Sequence, residues 1–227
     1  MNIPEHAYIE EDVLLVHKPV GMSSFDVIRR LRPILGIRKL GHAGTLDPLA
    51  HGLMIIGIQS GTKKMDDYLK LPKVYTASII LGKSTTTGDQ EGEVLEEKAV
   101  IKADIKANDL EAVVLGMQGE HSLTVPIYSA IKVEGRPLYW YARNNQEPPY
   151  IPKKPMNIES IQLLDHYKSG DTYIVSIRFE VSSGSYIRTL AEEFGKRMGY
   201  PASLKSLYRV SIGQYQDQHA YRLLEND

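Results

Sequence analysis

A single carboxylate in a glycine-rich turn is the feature of this sequence best suited to chemistry. Residues 41–52 read Gly-His-Ala-Gly-Thr-Leu-Asp-Pro-Leu-Ala-His-Gly, and their one acidic residue is Asp47. Glycine reaches backbone conformations that other residues avoid, and Pro48 favours an extended rather than a helical backbone at Asp47. The segment therefore predicts a tight turn that fixes one carboxylate, which can act as a nucleophile or a general base. For an Asp-Pro pair taken alone, a purely structural turn cap is the alternative.

Other kinds of chemistry find less support in the sequence. His42, His51 and Asp47 lack a second carboxylate at ligand spacing, and the chain has no cysteine, so we expect no metal site. We expect His51 to be a surface or turn histidine. Residues 82–85 resemble the end of a phosphate loop, but alanine occupies position 77 where its first glycine belongs, which argues against ATP binding. The sequence also contains neither a dinucleotide-binding glycine motif nor a serine nucleophile elbow.

The composition predicts a globular protein with an uneven distribution of charge. The 227 residues carry a formal net charge of −1, yet residues 29–39 contain five basic residues and no acidic one. Fourteen tyrosines stand against three phenylalanines, and tyrosine combines a flat apolar face with a polar tip. Local basic charge and tyrosine are compatible with RNA binding. The absence of cysteine, of a membrane-length apolar run and of an N-terminal signal pattern predicts a cytoplasmic protein.

The elements that position Asp47 can be read from periodicity. Ser23 or Ser24 caps a helix with Phe25, Ile28, Leu31 and Leu35 on its apolar face, and Gly36 ends it. A second helix is predicted over residues 60–69, a third around Leu110–Met117 with Asn108 as its cap, and a fourth to Met198, ended by Gly199. Strands are predicted at residues 13–16, 53–58, 74–81, 173–181 and 204–212. Together they indicate an α+β fold with a mixed sheet. Residues 119–155, rich in proline and tyrosine, read as an insertion.

Five motifs in a fixed order resemble the TruB-type tRNA pseudouridine synthases. The Asp47 turn resembles the catalytic motif of that family, and residues 18–24 (KPVGMSS) resemble its entry segment. Residues 73–75 and 81–92 look like its tyrosine strand and the loop that follows. Residues 128–143 are similar to its YSAxKxxGxxxYxxAR segment, and residues 183–190 (SGSYIRTL) match the start of its last helix.

The resemblance implies a pseudouridine synthase fold, with a central mixed, mostly antiparallel sheet flanked by helices. It implies one catalytic domain over residues 1–227 with a thumb-like insertion at about 119–155. Many members of the family carry a C-terminal PUA domain, and we expect none here because few residues follow Gly213. The implied reaction is isomerisation of the uridine at position 55, in the TΨC loop of tRNA, to pseudouridine by base flipping, without metal or cofactor.

The same resemblance assigns roles to individual residues. Asp47 is the nucleophile, attacking the ribose C1′ or the base C6. Tyr75 stacks on the target base, and Arg188 pairs with Asp47. His42 occupies the gap left by the flipped nucleotide, and Leu207 forms part of an apolar floor. The remaining expected substrate contacts are Lys18, Asp89, Lys132, Arg143 and Tyr186.

The sequence departs from the family pattern at Thr86, Val125, Ser203 and Tyr208, and the catalytic set is intact. The expected partner is the TΨC arm of tRNA, with a monomeric protein that needs no protein partner and a side role in tRNA folding. The alternatives are a tRNA-binding folding chaperone, or a pseudouridine synthase that acts on another RNA.

Overall fold

A computed structural model describes residues 3–101, 103 and 105–223 of the chain. Within that part no helix has the length and apolar character needed to cross a membrane. The helices are α1 (Ser24–Leu35), α2 (Met65–Lys70), α3 (Ala107–Leu115), α4 (Leu138–Arg143) and α5 (Ile187–Met198). The strands are β1 (Tyr8–Glu10), β2 (Val13–Lys18), β3 (Leu40–His42), β4 (Ala50–Ile58), β5 (Lys73–Leu81), β6 (Lys83–Thr85), β7 (Val94–Glu97), β8 (Gly119–Thr124), β9 (Lys132–Val133), β10 (Arg136–Pro137), β11 (Lys153–Ser169), β12 (Thr172–Val181), β13 (Ala202–Ile212), β14 (Tyr215–Gln216) and β15 (Tyr221–Arg222).

The chain packs as two compact units. The first comprises residues 1–76 and 206–227, and the second comprises residues 77–205. Of the strand pairings whose register the structure describes, β4–β13 and β2–β15 are parallel, and the rest are antiparallel. This confirms the predicted α+β fold with a mixed, mostly antiparallel sheet.

The sheet of the first unit is built on β4. Strand β2 pairs antiparallel with β4 from Val13 opposite Gly57 to Lys18 opposite Gly52. Strand β3 pairs antiparallel with the C-terminal end of β4. Residues 207–209 of β13 run parallel to the start of β4. The apolar side chains beneath these strands form one buried cluster, which includes Val13, Leu15, Ala43, Leu53, Ile55, Met65, Tyr68 and Ile212. Ala43 belongs to the turn that precedes Asp47, so this core anchors the turn.

Helix α1 begins and ends where the sequence predicts. The Ser23 hydroxyl accepts a hydrogen bond from the Asp26 N–H, and the Asp26 carboxylate accepts one from the Ser23 N–H. Gly36 ends the helix in the left-handed conformation at φ +67°. The predicted apolar face is wrong at Phe25, however, which is 57% exposed. The buried stripe is formed instead by Ser24, Val27, Ile28 and Leu31, because the polar Ser24 turns inward to bond the neighbouring turn.

The predicted second helix has two parts. A 3-10 segment over Gln59–Lys64 leads into α2, whose inward side chains are Met65 and Tyr68.

The second unit contains the strand with the clearest alternation of apolar residues in the sequence. Tyr173, Val175, Ile177, Phe179 and Val181 alternate along β12 and all are buried, as predicted. Strand β11 pairs with β12 along one edge and with β8 along the other, both antiparallel. Helix α5 ends at Gly199, as predicted. The predicted Asn108 cap of α3 is wrong, because the helix already begins at Ala107 and Lys106 is its N-cap residue, without a side-chain cap.

Residues 119–155 lie within the second unit. They begin with β8, which pairs with the start of β11, and continue through the short β9–β10 pair into α4. Val125, Val133 and Leu138 form a small apolar cluster of their own, and Ile131 and Tyr186 pack against it. The segment therefore has its own apolar contacts, and Tyr186 lies beside them.

Candidate active site

The Asp47 turn joins β3 to β4 and is held at the backbone. Gly44 has φ +102°, a conformation that side chains rarely allow. The Asp47 carbonyl accepts a hydrogen bond from the Ala50 N–H at 3.0 Å, and the Pro48 carbonyl accepts one from the Gly21 N–H at 2.8 Å. The Asp47 residue is half-buried. The turn therefore fixes its aspartate as the sequence predicts.

Ser24 holds the residue before Asp47. Its hydroxyl accepts a hydrogen bond from the Leu46 N–H at 2.8 Å and donates one to the Leu46 carbonyl at 3.1 Å. Ser24 and Leu46 are both 3% exposed. Because buried backbone groups need partners, this hydroxyl fixes both the position of Leu46 and its peptide orientation.

Arg209 holds the other side of the turn. The residue is 1% exposed, and its guanidinium donates to the carbonyls of Leu53 at 2.6 Å, Gly44 at 3.2 Å and Thr45 at 3.4 Å. Arginine presents several donors in one rigid plane, which lysine does not. Arg209 thus connects the turn to the strand that follows it, a role that the sequence analysis did not assign.

Lys18 is enclosed rather than exposed. It is 0% exposed, and its ammonium group donates to the carbonyls of Pro19 at 2.9 Å, Met22 at 2.6 Å and Pro48 at 3.4 Å. The family resemblance implies that Lys18 contacts the substrate. Its burial instead favours a role in joining the entry segment to the residue after Asp47.

Tyr75 and Leu207 are both buried side chains of the first unit, 7% and 6% exposed. Leu207 pairs with Ala50, whose N–H bonds the Asp47 carbonyl. Lys73, two residues before Tyr75, is 5% exposed and donates to the carbonyls of Leu69 and Leu71. Burial, and to a smaller extent Arg209, lower the pKa of Lys73 to about 8.

His42 ends β3 at the entrance to the turn. Its Nδ1 is buried and has no hydrogen-bond partner among the described residues. Burial, followed by the charge of Arg209, lowers the pKa of this imidazole. Both effects favour the neutral ring, which suits an apolar or space-filling contact better than an ionic one.

His51 is part of a polar network that the sequence analysis missed. Its ring stacks on Tyr208 with centroids 4.7 Å apart and an interplanar angle of 7°. The Tyr208 hydroxyl donates to the Asp217 carboxylate at 2.9 Å, and His17 bonds the same carboxylate. Arg222 forms an ion pair with Asp217 at 3.1 Å. The expectation of a surface or turn histidine is corrected here, because the stack joins the end of the motif to β13.

The network does not constitute a metal site. Within the described ranges no group of three or more histidine, aspartate or glutamate side chains is arranged to hold a metal ion. The carboxylate of Asp217 is already bonded by His17, Tyr208 and Arg222. Burial alone would raise the pKa of Asp217, but His17, Tyr208 and Arg222 together lower it through their hydrogen bonds and charges.

The second unit contains Arg188 and Asp89. Arg188 is 6% exposed and donates to the carbonyls of Thr87 at 2.8 Å and Tyr128 at 2.9 Å. The Asp89 carboxylate, 2% exposed, accepts hydrogen bonds from the Thr87 hydroxyl at 2.5 Å and the Glu91 N–H at 3.0 Å. Asp89 therefore shapes its own loop, and Arg188 joins that loop to the start of the 128–143 motif.

The remaining predicted contacts lie between residues 119 and 155. Lys132 and Arg143 are exposed. The Arg143 guanidinium lies 5.4 Å from the Tyr139 ring centroid, and that of Arg136 lies 4.0 Å from the Trp140 ring. Cations beside aromatic rings on an exposed segment are suited to nucleic acid.

Solved structures share this fold. A chain in a crystal structure of a Cbf5–Nop10–Gar1 complex superimposes with a TM-score of 0.69 at 24% identity, covering 97% of this chain and 55% of that one. A chain in the structure of an H/ACA RNP bound to a substrate RNA containing 2′-deoxyuridine gives 0.67 at 21% identity, covering 97% and 53%. At these identities the likeness establishes the fold alone.

Sequence comparison identifies the family. Residues 32–187 match the N-terminal domain of the TruB family pseudouridylate synthases. The chain is 43% identical over 206 residues to tRNA pseudouridine synthase B of Bacillus subtilis, covering 89% of this chain and 65% of the relative. It is 40% identical to that of Staphylococcus epidermidis, covering 90% and 67%. The chain belongs to the TruB family of pseudouridylate synthases. It spans about two thirds of the length of the curated relatives it matches.

Proposed function

We propose that this protein is an isomerase that converts a uridine of tRNA to pseudouridine, at position 55 in the TΨC loop. The observation that carries the proposal is the Asp47 turn, in which Arg209, Ser24 and Lys18 hold backbone groups of residues 44, 45, 46 and 48. A carboxylate on a backbone fixed at every neighbouring residue meets the requirement of a pre-organised nucleophile. The tRNA pseudouridine synthases B that the chain resembles supply the substrate class.

The proposed reaction needs only groups of the chain and of the substrate. The Asp47 carboxylate attacks the ribose C1′ or the base C6, and the bond between C1′ and N1 breaks. The uracil turns and bonds through C5 to C1′, the bond between the Asp47 carboxylate and the substrate breaks, C5 loses its proton and N1 gains one. The product is an isomer of the substrate, so the atoms balance without an oxidant or a reductant. We propose that no metal or cofactor takes part.

Side chains of the first unit are proposed to form the pocket. Tyr75 stacks on the target base and assists removal of the C5 proton, and Leu207 provides an apolar surface. His42 fills the place of the flipped nucleotide, a role that its neutral ring supports. Extruding a base costs a few kcal/mol, and aromatic stacking returns about 1–3 kcal/mol per base, so stacking can offset most of the cost.

The second unit supplies the other proposed roles. Arg188 serves as the counter-ion of Asp47 during the reaction, which keeps the carboxylate ionised. Lys132 and Arg143, which are exposed, contact the phosphates of the TΨC arm. Tyr186 and Asp89 support the RNA-binding loops. We propose a monomeric enzyme without an obligatory protein partner.

The test is release of tritium from an unmodified tRNA transcript labelled at the uridine C5 position. The wild-type protein should release one equivalent of label per tRNA, from position 55, and Asp47→Asn should release none. If wild type releases no label, the proposed activity is wrong. If Asp47→Asn remains active, the enzyme stands but its nucleophile is another group.

A second measurement separates catalysis from the side role in tRNA folding. Asp47→Asn should bind the transcript as tightly as wild type and still accelerate refolding of a misfolded tRNA. Refolding that is unchanged by either protein would contradict the side role and leave the isomerase proposal intact.

A further inference from the structure

An exposed aromatic ring on α1 has two arginine guanidinium groups within 6 Å of its centroid. Phe25 is 57% exposed, although phenylalanine at the start of an amphipathic helix is normally buried. The Arg29 guanidinium carbon lies 5.9 Å from the ring centroid and that of Arg32 lies 5.7 Å from it. We call Phe25, Arg29 and Arg32 the Phe25 face.

The Phe25 face lies in a cationic segment of the chain. Residues 22–39 contain five basic residues, and Asp26 is their single acidic one. Asp26 forms an ion pair with Arg29 and also serves in the helix cap, so it offsets only part of this charge. The surface therefore favours an anionic partner.

The helix places this face next to the Asp47 turn. Ser24, which precedes Phe25, bonds both backbone groups of Leu46, the residue before Asp47. Helical side chains lean toward the N-terminus of their helix, so Arg29 and Arg32 extend toward the end of α1 that contacts the turn. Arg32 also donates through Nε to the Arg38 carbonyl at 3.1 Å, in the segment that leads into β3 and His42.

The combination matches one class of ligand. A flat aromatic surface accepts a nucleobase by stacking, and guanidinium groups bind phosphates. A purely local role would be stabilisation of the helix surface by cation–π contacts. That role explains the positions of the arginines but leaves a phenylalanine that is 57% exposed to solvent.

We infer that the Phe25 face binds an unpaired nucleotide of the RNA substrate, with the base on Phe25 and the neighbouring phosphates on Arg29 and Arg32. This inference rests on the proposed function, because it takes the substrate to be RNA. It adds a contact with that RNA to those already proposed. The added contact lies on the first unit and outside residues 119–155.

The test uses equilibrium binding of a fluorescent, unmodified tRNA transcript. Phe25→Leu keeps an apolar side chain but removes the ring, and should weaken the Kd by about fivefold or more. Phe25→Tyr keeps the ring and should bind within about twofold of wild type. The double variant Arg29→Ala/Arg32→Ala should lower the slope of log Kd against log salt by about 1.5, the effect of two lost phosphate contacts.

Two controls match these changes elsewhere on the surface. Tyr167→Ala removes an aromatic ring that is 47% exposed, and Lys70→Ala/Arg178→Ala removes two exposed cations. Both controls should bind as wild type does. If the control double variant lowers the salt slope equally, the effect is general charge and the inference is overturned.

Two further outcomes would overturn it. In the first, Phe25→Leu lowers the melting temperature and leaves the Kd unchanged, which would assign Phe25 the local role. In the second, Phe25→Leu and Phe25→Tyr weaken binding equally, which would exclude stacking. Tritium release by wild type is measured on the same transcript, so that failure of the proposed function is seen separately from failure of this inference.

Discussion

Ser24 Oγ is bonded to both backbone groups of Leu46, accepting from its N–H at 2.8 Å and donating to its carbonyl at 3.1 Å. The two residues are 22 positions apart, and the contact joins the first turn of α1 to the residue before Asp47. The adjacent Ser23 performs a different task, because its hydroxyl caps the helix through Asp26. Two neighbouring serines thus separate the support of the helix from the support of the turn.

Ser24→Ala should therefore impair both stability and turnover. It leaves the buried N–H and carbonyl of Leu46 without partners, at a cost of about 2–4 kcal/mol in the free energy of unfolding. Displacement of Asp47 should lower kcat by tenfold or more with little change in KM. Ser23→Ala is the matched control, and should cost about 1 kcal/mol through the lost cap and leave kcat near wild type. Equal kcat values for the two variants would contradict the role of Ser24 in positioning the Asp47 turn.

Arg209→Lys should show that the three carbonyls need a guanidinium. A lysine ammonium cannot reach Leu53, Gly44 and Thr45 together from one position, so buried carbonyls lose their donors. We expect a loss of about 3 kcal/mol in urea unfolding and a fall in kcat rather than a rise in KM. Arg178→Lys, at an exposed site, should change stability by less than about 0.5 kcal/mol. A stable Arg209→Lys enzyme with normal kcat would refute the proposed support.

Lys73 should make stability depend on pH in the alkaline range. Its pKa is about 8 in the folded chain, lowered by burial and by Arg209, against about 10.4 in an unfolded chain. Between these values the unfolded chain binds more protons, so the free energy of unfolding rises with pH. Relative to Lys73→Met, wild type should gain about 2 kcal/mol from pH 8 to pH 10. Lys70→Met, at an exposed site, should follow wild type, and parallel curves for wild type and Lys73→Met would disprove the shift.

Gly52→Ala should be far more damaging than a change at another glycine of positive φ. A Cβ at Gly52 would lie 2.4 Å from the Arg209 carbonyl oxygen and 2.8 Å from Tyr208 Cδ2, where β4 and β13 pair. Gly36 also has positive φ but has open space around it. We expect Gly36→Ala to cost about 1 kcal/mol and Gly52→Ala to cost about 3 kcal/mol or more, measured by thermal unfolding. Similar losses would show that backbone conformation alone matters at both sites.

The sequence predicted correctly those helix ends and strands that depend on interactions between residues close together in the chain. Ser23, Gly36 and Gly199 ended or began helices as expected, because caps act within a few residues. The alternating apolar residues of β12 were predicted correctly because successive side chains of a strand point to opposite faces of the sheet. The spacing of Phe25 matched the apolar face predicted for α1, but Phe25 is exposed. Ser24 is buried in its place because its hydroxyl bonds the Leu46 backbone. Asn108 has a side chain suited to capping, but α3 begins at Ala107, so Asn108 lies inside the helix and not at its N-cap.

The supports of the turn could not be predicted, because they depend on pairing across the chain. Arg209 reaches Gly44 over a separation of 165 residues, and Tyr208 meets His51 only because β13 runs parallel to β4. The resemblance to a family identified Asp47 as the residue to examine. It did not indicate that Lys18 is enclosed by carbonyls, which only the burial of its ammonium group reveals.

The bond between Arg209 and the Gly44 carbonyl also sets an order of events during synthesis. Ribosomes add about 5–20 residues each second, so the 165 residues between these two positions take roughly 8–33 s to translate. Throughout that interval the Asp47 turn exists without its guanidinium support. The nascent protein can therefore acquire a fixed nucleophile only after β13 has left the ribosome.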